Sequence, residues 1–380
     1  MRQDTATVPG AGRAPARYRR RWLGLVGLLA ALFAAAWLLT LPKPPAPAPS
    51  AGSTGSGSGL LDRWPSARVV QMSGLLGDGR AYRPLFYPEV DVSVGTALTP
   101  DGATLRLLVR RATGDPSELM RLPAAGNPDI RAVTAAGDDL VWMVAPDGSA
   151  TPPVLYHANW RTPAPATALA ADTGHPVVTG SFYDTVIAGG RVYWAATAGR
   201  NTEIRSVALT GGAVTVRPVD GAYALSGWPW LSSAVTAVSG SIEMRNLDTG
   251  QRIPVPRTPP EVITCGPAWC RVLTPGPDGK VARTELMHPD GSARIRVAAG
   301  AVSSAVTDVA LVDRFEILTS TIPDSEPDNL KLVLYDVTAN RSSLLVAAAA
   351  TVNGRGPVVW WSTGDGESVT WYALDLRTLR

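Results

Sequence analysis

Residues 98–109 read Leu98-Thr99-Pro100-Asp101-Gly102-Ala103-Thr104-Leu105-Arg106-Leu107-Leu108-Val109, a tight-turn signal running straight into an apolar stretch. Proline presets φ near about −65°, aspartate bonds its own turn backbone, and glycine occupies the position that needs φ > 0. The stretch that follows has the length and branched apolar content of a strand. Pro-Asp-Gly recurs at 146–148, 277–279 and 289–291, with Gly77-Asp78-Gly79, Gly364-Asp365-Gly366, Asp172-Thr173-Gly174 and Asp248-Thr249-Gly250 as variants. Beyond Leu60 no long segment keeps a 3.6-residue apolar period, so the pattern is all-β.

Comparable hydrophobic centres fall at 105–109, 140–144, 192–195, 231–238, 269–273, 309–312 and 358–361, roughly 35 to 52 residues apart. That spacing matches the ~40–50 residues of a four-stranded propeller blade, and seven such units fill the region, which predicts a seven-bladed β-propeller. Alternatives are a six-bladed ring with one irregular blade and a pair of β-sandwiches. Several units continue into a second strand, as in Glu203–Leu209 and Leu332–Asp336, whereas the last, Ser368–Leu379, stops early. Closing the ring requires an N-terminal strand, Ala67–Met72 or Val90–Val94, to complete the final blade and remove the open edge.

The segment 98–109 resembles the repeat of TolB-like, WD-type β-propellers, in which a Pro-Asp-Gly turn feeds an apolar strand; the other Pro-Asp-Gly sites repeat it less cleanly. The resemblance implies a propeller, and a family range of soluble periplasmic adaptors, sensors and the propeller domains of peptidases. This chain departs from the soluble type in carrying an apparent tether, and from the peptidases in having no hydrolase domain.

The tether is read from Trp22–Leu41, twenty positions without a charge. At ~1.5 Å per residue a helix of that length spans about 30 Å, the hydrocarbon core of a bilayer. Arg17, Arg19, Arg20 and Arg21 precede it and only Lys43 follows closely, so the positive-inside bias predicts residues 1–21 as a cytoplasmic tail and exports the rest. Residues 22–41 thus predict a single transmembrane helix in the cytoplasmic membrane, with the lipid bilayer as the first partner. A cleavable signal peptide cut after Ala46-Pro47-Ala48 is the competing reading; Pro49 directly after the cut disfavours it. Residues 42–59 change to a Pro/Ala stretch and then a Gly/Ser stretch, a polyproline stand-off of roughly 25 Å followed by a flexible tether, leaving 60–380 as the exported domain.

Charge follows the same division. Residues 1–59 hold seven basic and one acidic residue, leaving 28 basic and 31 acidic residues beyond them, so the chain's net +3 belongs to the tail and no nucleic-acid partner is expected. Arginine outnumbers lysine 32 to 3, a composition that looks like a GC-rich bacterial gene.

Candidate chemistry is sparse. Cys265-Gly266-Pro267-Ala268-Trp269-Cys270 puts two cysteines across a Gly-Pro turn. A cross-strand Cα separation near about 5.5 Å would suit a disulfide, the expected state of an exported pair. A redox pair and a zinc site are the alternatives; the first is usually spaced Cys-x-x-Cys, and the second has only two thiols and three scattered histidines to draw on. His157, His175 and His288 show no partner in the sequence. Asp324-Ser325-Glu326-Pro327-Asp328-Asn329 concentrates oxygen ligands but lacks the glycine and terminal glutamate of an EF-hand, and reads as a solvated acidic loop. Of ten tryptophans beyond residue 60, Trp228 and Trp230 share a face by strand alternation, flank a proline and are the candidate exposed aromatic contact; of Trp360-Trp361, alternation sends one ring between blades and the other toward a face or the channel. No catalytic residue, metal or cofactor is expected. The favoured function is a membrane-anchored extracytoplasmic propeller that binds or scaffolds a protein or cell-envelope partner; the alternative is a hydrolase or lyase with a funnel active site.

Overall fold

The computed structural model describes residues 58–145, 151–233, 241–300, 302–321 and 329–380. The segment 22–41, the Pro-Asp-Gly at 146–148 and the core of the acidic loop at 324–328 lie outside the described residues. Among the described residues no helix is long and apolar enough to cross a membrane.

The chain forms seven antiparallel sheets among the described residues, six of four strands and one of five. Blade 1 comprises Arg83–Glu89, Val92–Leu98, Thr104–Arg111 and Ser117–Pro123; blade 2 comprises Asp129–Ala136, Asp139–Ala145, Val154–Asn159 and Thr167–Ala170. In blade 3 the first strand is split into His175–Pro176 and Thr185–Ala188, followed by Arg191–Ala198, Asn201–Ala208 and Thr215–Val219. Blade 4 holds Ala224–Leu225, Trp230–Ser232, Ile242–Asn246 and Arg252–Val255, and blade 5 holds Val262–Cys265, Cys270–Pro275, Val281–Met287 and Ile295–Ala299. Blade 6 holds Val302–Ser304, Phe315–Thr321, Leu330–Asp336 and Arg341–Ala349; blade 7 holds Thr351–Arg355, Val358–Thr363 and Thr370–Asp375. Its fourth, outermost strand is Arg68–Ser73 from the N-terminal side, pairing Val70 with Ala373.

The alternation of strand side chains builds the ring. On Asp139–Ala145, Leu140 and Trp142 pack against blade 1 while Val141 and Met143 pack against blade 3. The same division repeats around the molecule, so one apolar cluster lies between each consecutive pair of blades. The last joins Val358, Trp360 and Trp371 of blade 7 to Tyr87 and Val90 beside blade 1, closing the circle. Trp360 and Trp361 illustrate the outcome: both are buried between blades, Trp360 toward blade 1 and Trp361 toward blade 6, so neither reaches the channel.

Turn chemistry is as read. In the 98–109 segment Thr99 N–H donates to the Thr104 carbonyl at 2.8 Å, Asp101 accepts from Ala103 N–H at 3.0 Å, and Gly102 sits at φ 73°. Two of the seven hydrophobic centres differ in place from the others, and of the centre at 231–238 the residues 234–238 lie outside the described residues. Residues 105–109 are the third strand of blade 1 rather than its second, and 309–312 form no strand; they belong to a loop in which Ala310, Val312 and Asp313 take positive φ (45°, 50° and 57°).

A plugged channel and the pocket beside it

The first strand of each blade faces the ring's centre, and in blades 3 and 6 that strand is interrupted. Residues 178–184 leave the sheet of blade 3, and residues 305–313 leave that of blade 6. These blades are not neighbours, so contact between the two excursions has to span the channel. Asp308 makes it: its carboxylate accepts from the Ser181 hydroxyl at 2.5 Å and from Phe182 N–H at 3.0 Å. Phe182 in turn stacks on Phe86 of blade 1 (6.1 Å between centroids, 9° between planes) and faces Gly356 of blade 7, where an added Cβ would meet its ring at 3.3 Å. The excursion is a plug.

Each plug element is tied from within. Asp184 accepts from Thr179 N–H (3.0 Å), the Thr179 hydroxyl (2.8 Å) and Gly180 N–H (2.8 Å), folding the blade 3 excursion back on itself. Thr185 donates its hydroxyl to the Ala132 carbonyl of blade 2 at 2.7 Å. The blade 6 excursion hangs on a buried ion pair: Arg271 Nε donates to Glu316 at 2.6 Å, and its two terminal nitrogens donate to the Thr307 and Asp308 carbonyls at 3.1 and 2.7 Å. Glu316, wholly buried, also accepts from the Ser304 hydroxyl and from Ala310 N–H, both at 2.9 Å. The left-handed backbone at Ala310, Val312 and Asp313 is therefore held by these side chains together with a tight turn in which Phe315 and Arg314 N–H donate to the Leu311 carbonyl at 2.9 and 3.2 Å.

Burial pushes the Asp184 and Asp308 carboxyls above the usual carboxylate range, with the surrounding donors opposing the shift. Burial likewise lowers the Arg355 guanidinium, against the attraction of those two carboxylates. The Tyr183 hydroxyl is pushed up to about 12, chiefly by burial.

Beside the plug lies a cavity of about 450 Å³ on the side of blades 4, 5 and 6. Its walls are Tyr183 and Ser181 of the plug, residues 262–269 of blade 5 and residues 307–313 of blade 6. Val262 and Val312, 55% and 42% exposed, form an apolar rim. The blade 5 wall is the Cys265–Cys270 hairpin, and the structure shows the disulfide. The Cα atoms stand 4.0 Å apart, closer than expected from the sequence. The reason is register: Gly266 N–H donates to the Trp269 carbonyl at 2.8 Å and takes the hydrogen-bonded position, leaving the cysteines on the adjacent narrow pair. Trp269 then donates its indole N–H to the Asp313 carbonyl at 3.1 Å, pinning hairpin to loop. The loop-entropy relation gives about 2 kcal/mol for so short a ring, so reduction is expected to lower the unfolding midpoint modestly while loosening this wall. Urea titration with and without reductant checks it; an unchanged midpoint would show that the bond adds nothing.

Trp228 and Trp230 are both half-buried and sit on opposite faces of blade 4. A tight turn, closed by Trp230 N–H on the Gly227 carbonyl at 2.6 Å around a cis Trp228-Pro229 bond, takes Trp228 out of the strand, so strand alternation does not relate the two rings. Trp228 stacks on Tyr193 at 3.8 Å, within the blade 3–blade 4 cluster, and Trp230 packs toward blade 5. His157 lies 2.7 Å from Asp139, and His288 contacts the Ala268 carbonyl at 2.9 Å with its ring on Trp269. His175 is exposed. Asp365 heads the short turn Gly366–Ser368. Among the described residues no three His, Cys, Asp or Glu side chains gather as a metal site. Sequence reasoning missed Asp184, Asp308, Arg271, Glu316 and Arg355. The available signal was a charge inside an apolar run, as in Cys270-Arg271-Val272-Leu273 and Phe315-Glu316-Ile317-Leu318.

No protein-family model and no curated protein matches the chain. Solved structures do. A puromycin-hydrolyzing peptidase of Mycobacterium tuberculosis is similar at 14% identity over 82% of this chain, TM-score 0.51, and this chain spans 55% of that one. An oligogalacturonate lyase in complex with manganese is similar at 13% identity over 83% of this chain and 85% of that one, TM-score 0.46. TolB from Acinetobacter baumannii is similar at 11% identity over 68% and 65%, TM-score 0.38. What is shared at these identities is the propeller fold, on which enzymes and TolB both occur.

Proposed function

We propose that the chain is a membrane-tethered, extracytoplasmic propeller whose task is binding, and that the pocket beside the plug is the seat of its partner. The observation that carries this reading is the pocket itself. Its volume falls within the range of ligand sites, its walls are fixed by a disulfide and a buried ion pair, and two valines at its rim stay open to solvent. The tether rests on the uncharged run 22–41 and the arginines before it.

Two experiments test the two halves. Protease added to intact spheroplasts is expected to degrade the chain beyond residue 60 while sparing residues 1–21; protection of the larger part would sink the topology. A photo-crosslinking amino acid at Val262 or Val312 is expected to capture an envelope partner that the same group at Leu98 or Val216 does not. Those control positions are similarly exposed, at 41% and 42%, and do not line the pocket. Equal capture at all four positions would remove the pocket from the reading.

A further inference from the structure

Resting on that reading of the pocket as a binding seat, we infer that it receives a basic side chain, arginine or lysine, flanked by apolar residues of a partner protein. The charge arrangement is the first ground. Arg271 lines the pocket but is committed to buried Glu316 and to two carbonyls, so it offers nothing to a ligand. The Asp308 carboxylate at the floor is likewise committed, accepting from the Ser181 hydroxyl and from Phe182 N–H. Asp313 stands exposed at the mouth, and its carboxylate has no hydrogen-bond or ion-pair partner among the described residues; its neighbour Arg314 is turned away onto Asp336 at 2.6 Å and the Leu379 carbonyl. The site therefore carries an uncommitted carboxylate at its mouth, that of Asp313.

The lining is the second ground. Tyr183 and Trp269 are aromatic side chains in the wall, and cations on alkyl stems are stabilised by such rings and by nearby carboxylates together. Val262, Pro267 and Val312 extend the apolar surface out to the rim, beyond what a free amine would cover, which favours a group carried on a peptide. A basic side chain entering between Val262 and Val312, its carboxylate contact at Asp313, uses the features of the pocket that the plug leaves unemployed.

The test uses the full-length protein in detergent micelles and the blocked peptides acetyl-Leu-Arg-Leu-amide, its glutamine and glutamate counterparts, and butylguanidinium. At ~50 mM salt the arginine peptide is expected to bind about five- to ten-fold more tightly than the glutamine peptide, the glutamate peptide more weakly still, and the preference to shrink at ~500 mM salt. Asp313→Asn should remove most of the preference without lowering the melting temperature, because asparagine tolerates the left-handed backbone there. Equal affinity for the three peptides, or a preference untouched by Asp313→Asn, overturns the inference. Butylguanidinium binding as tightly as the peptide overturns the protein-borne source. Crosslinks at Val262 with no peptide preference would leave the pocket a binding seat and remove only this ligand class.

Discussion

Replacing Glu316 with alanine is expected to cost about 3–5 kcal/mol of stability, because it strands a buried guanidinium. Arg271 and Glu316 have side chains 6% and 0% exposed, with Nε 2.6 Å from the carboxylate, so water cannot substitute for the lost partner. Arg271→Met removes the other charge and leaves Glu316 buried with only the Ser304 hydroxyl and Ala310 N–H, at a similar cost. The double replacement Arg271→Met with Glu316→Leu should cost less than the two single costs together, since neither charge is then left alone. Function should not follow stability in that double variant. Arg271 also holds the Thr307 and Asp308 carbonyls, and Glu316 holds Ala310 N–H, so a folded double variant loses the loop that builds one pocket wall. Urea unfolding of the three variants, beside crosslinking from Val262, separates the effects. Single-variant costs below about 1 kcal/mol, the level of an exposed pair, would mean that the pair is solvated and the account of the loop is wrong.

The parts of this molecule legible in the sequence are those governed by local rules. Gly102, Gly279 and Gly291 of the described Pro-Asp-Gly turns all sit at positive φ, at 73°, 76° and 88°, as turn chemistry requires. Short continuous apolar runs marked the blades because each strand is covered on both faces by its neighbours, and an unpaired last edge called for an N-terminal strand. What was not legible is the centre. The excursion at 178–184 has the composition of an ordinary connection and that at 305–313 carries the apolar run 309–312 that reads as a blade centre, whereas their meaning lies in a hydrogen bond between residues 127 positions apart, Ser181 and Asp308. No local pattern encodes that contact. It depends on the ring bringing blades 3 and 6 face to face, which is settled only after all seven blades close. The Trp228–Trp230 pair was opaque for a different reason: the turn between the two rings overrides strand alternation.

A chain lacking residues 58–73 is expected to lose its cooperative unfolding transition, or to have it lowered by more than about 5 kcal/mol, because that segment both covers the core and closes the ring. Leu60 and Trp64, 2% and 3% exposed, lie four residues apart on and just after the short helix Ser58–Arg63 and enter the cluster between blades 6 and 7, where Trp64 meets Phe315 edge-on at 6.1 Å. Trp64→Ala alone should cost about 3–5 kcal/mol. Met72, 5% exposed, does the same work between blades 7 and 1, and Met72→Ala should cost about 2–5 kcal/mol. Removal also strips the six-residue pairing from Arg68–Asp375 to Ser73–Thr370, leaving Thr370–Asp375 as an open edge ready to pair with another chain. Gly74 gives a finer version of the experiment. Its N–H donates to the Val369 carbonyl at 2.6 Å, and an added Cβ would come within 2.5 Å of that same oxygen, so Gly74→Ala has to separate the closing strand from its partner. A cost of about 1–3 kcal/mol is expected there, with new protease sensitivity beginning at blade 7. If the truncated chain instead melts as one unit at the full-length temperature, ring closure is not what stabilises the propeller, and the inter-blade clusters would have to suffice without it.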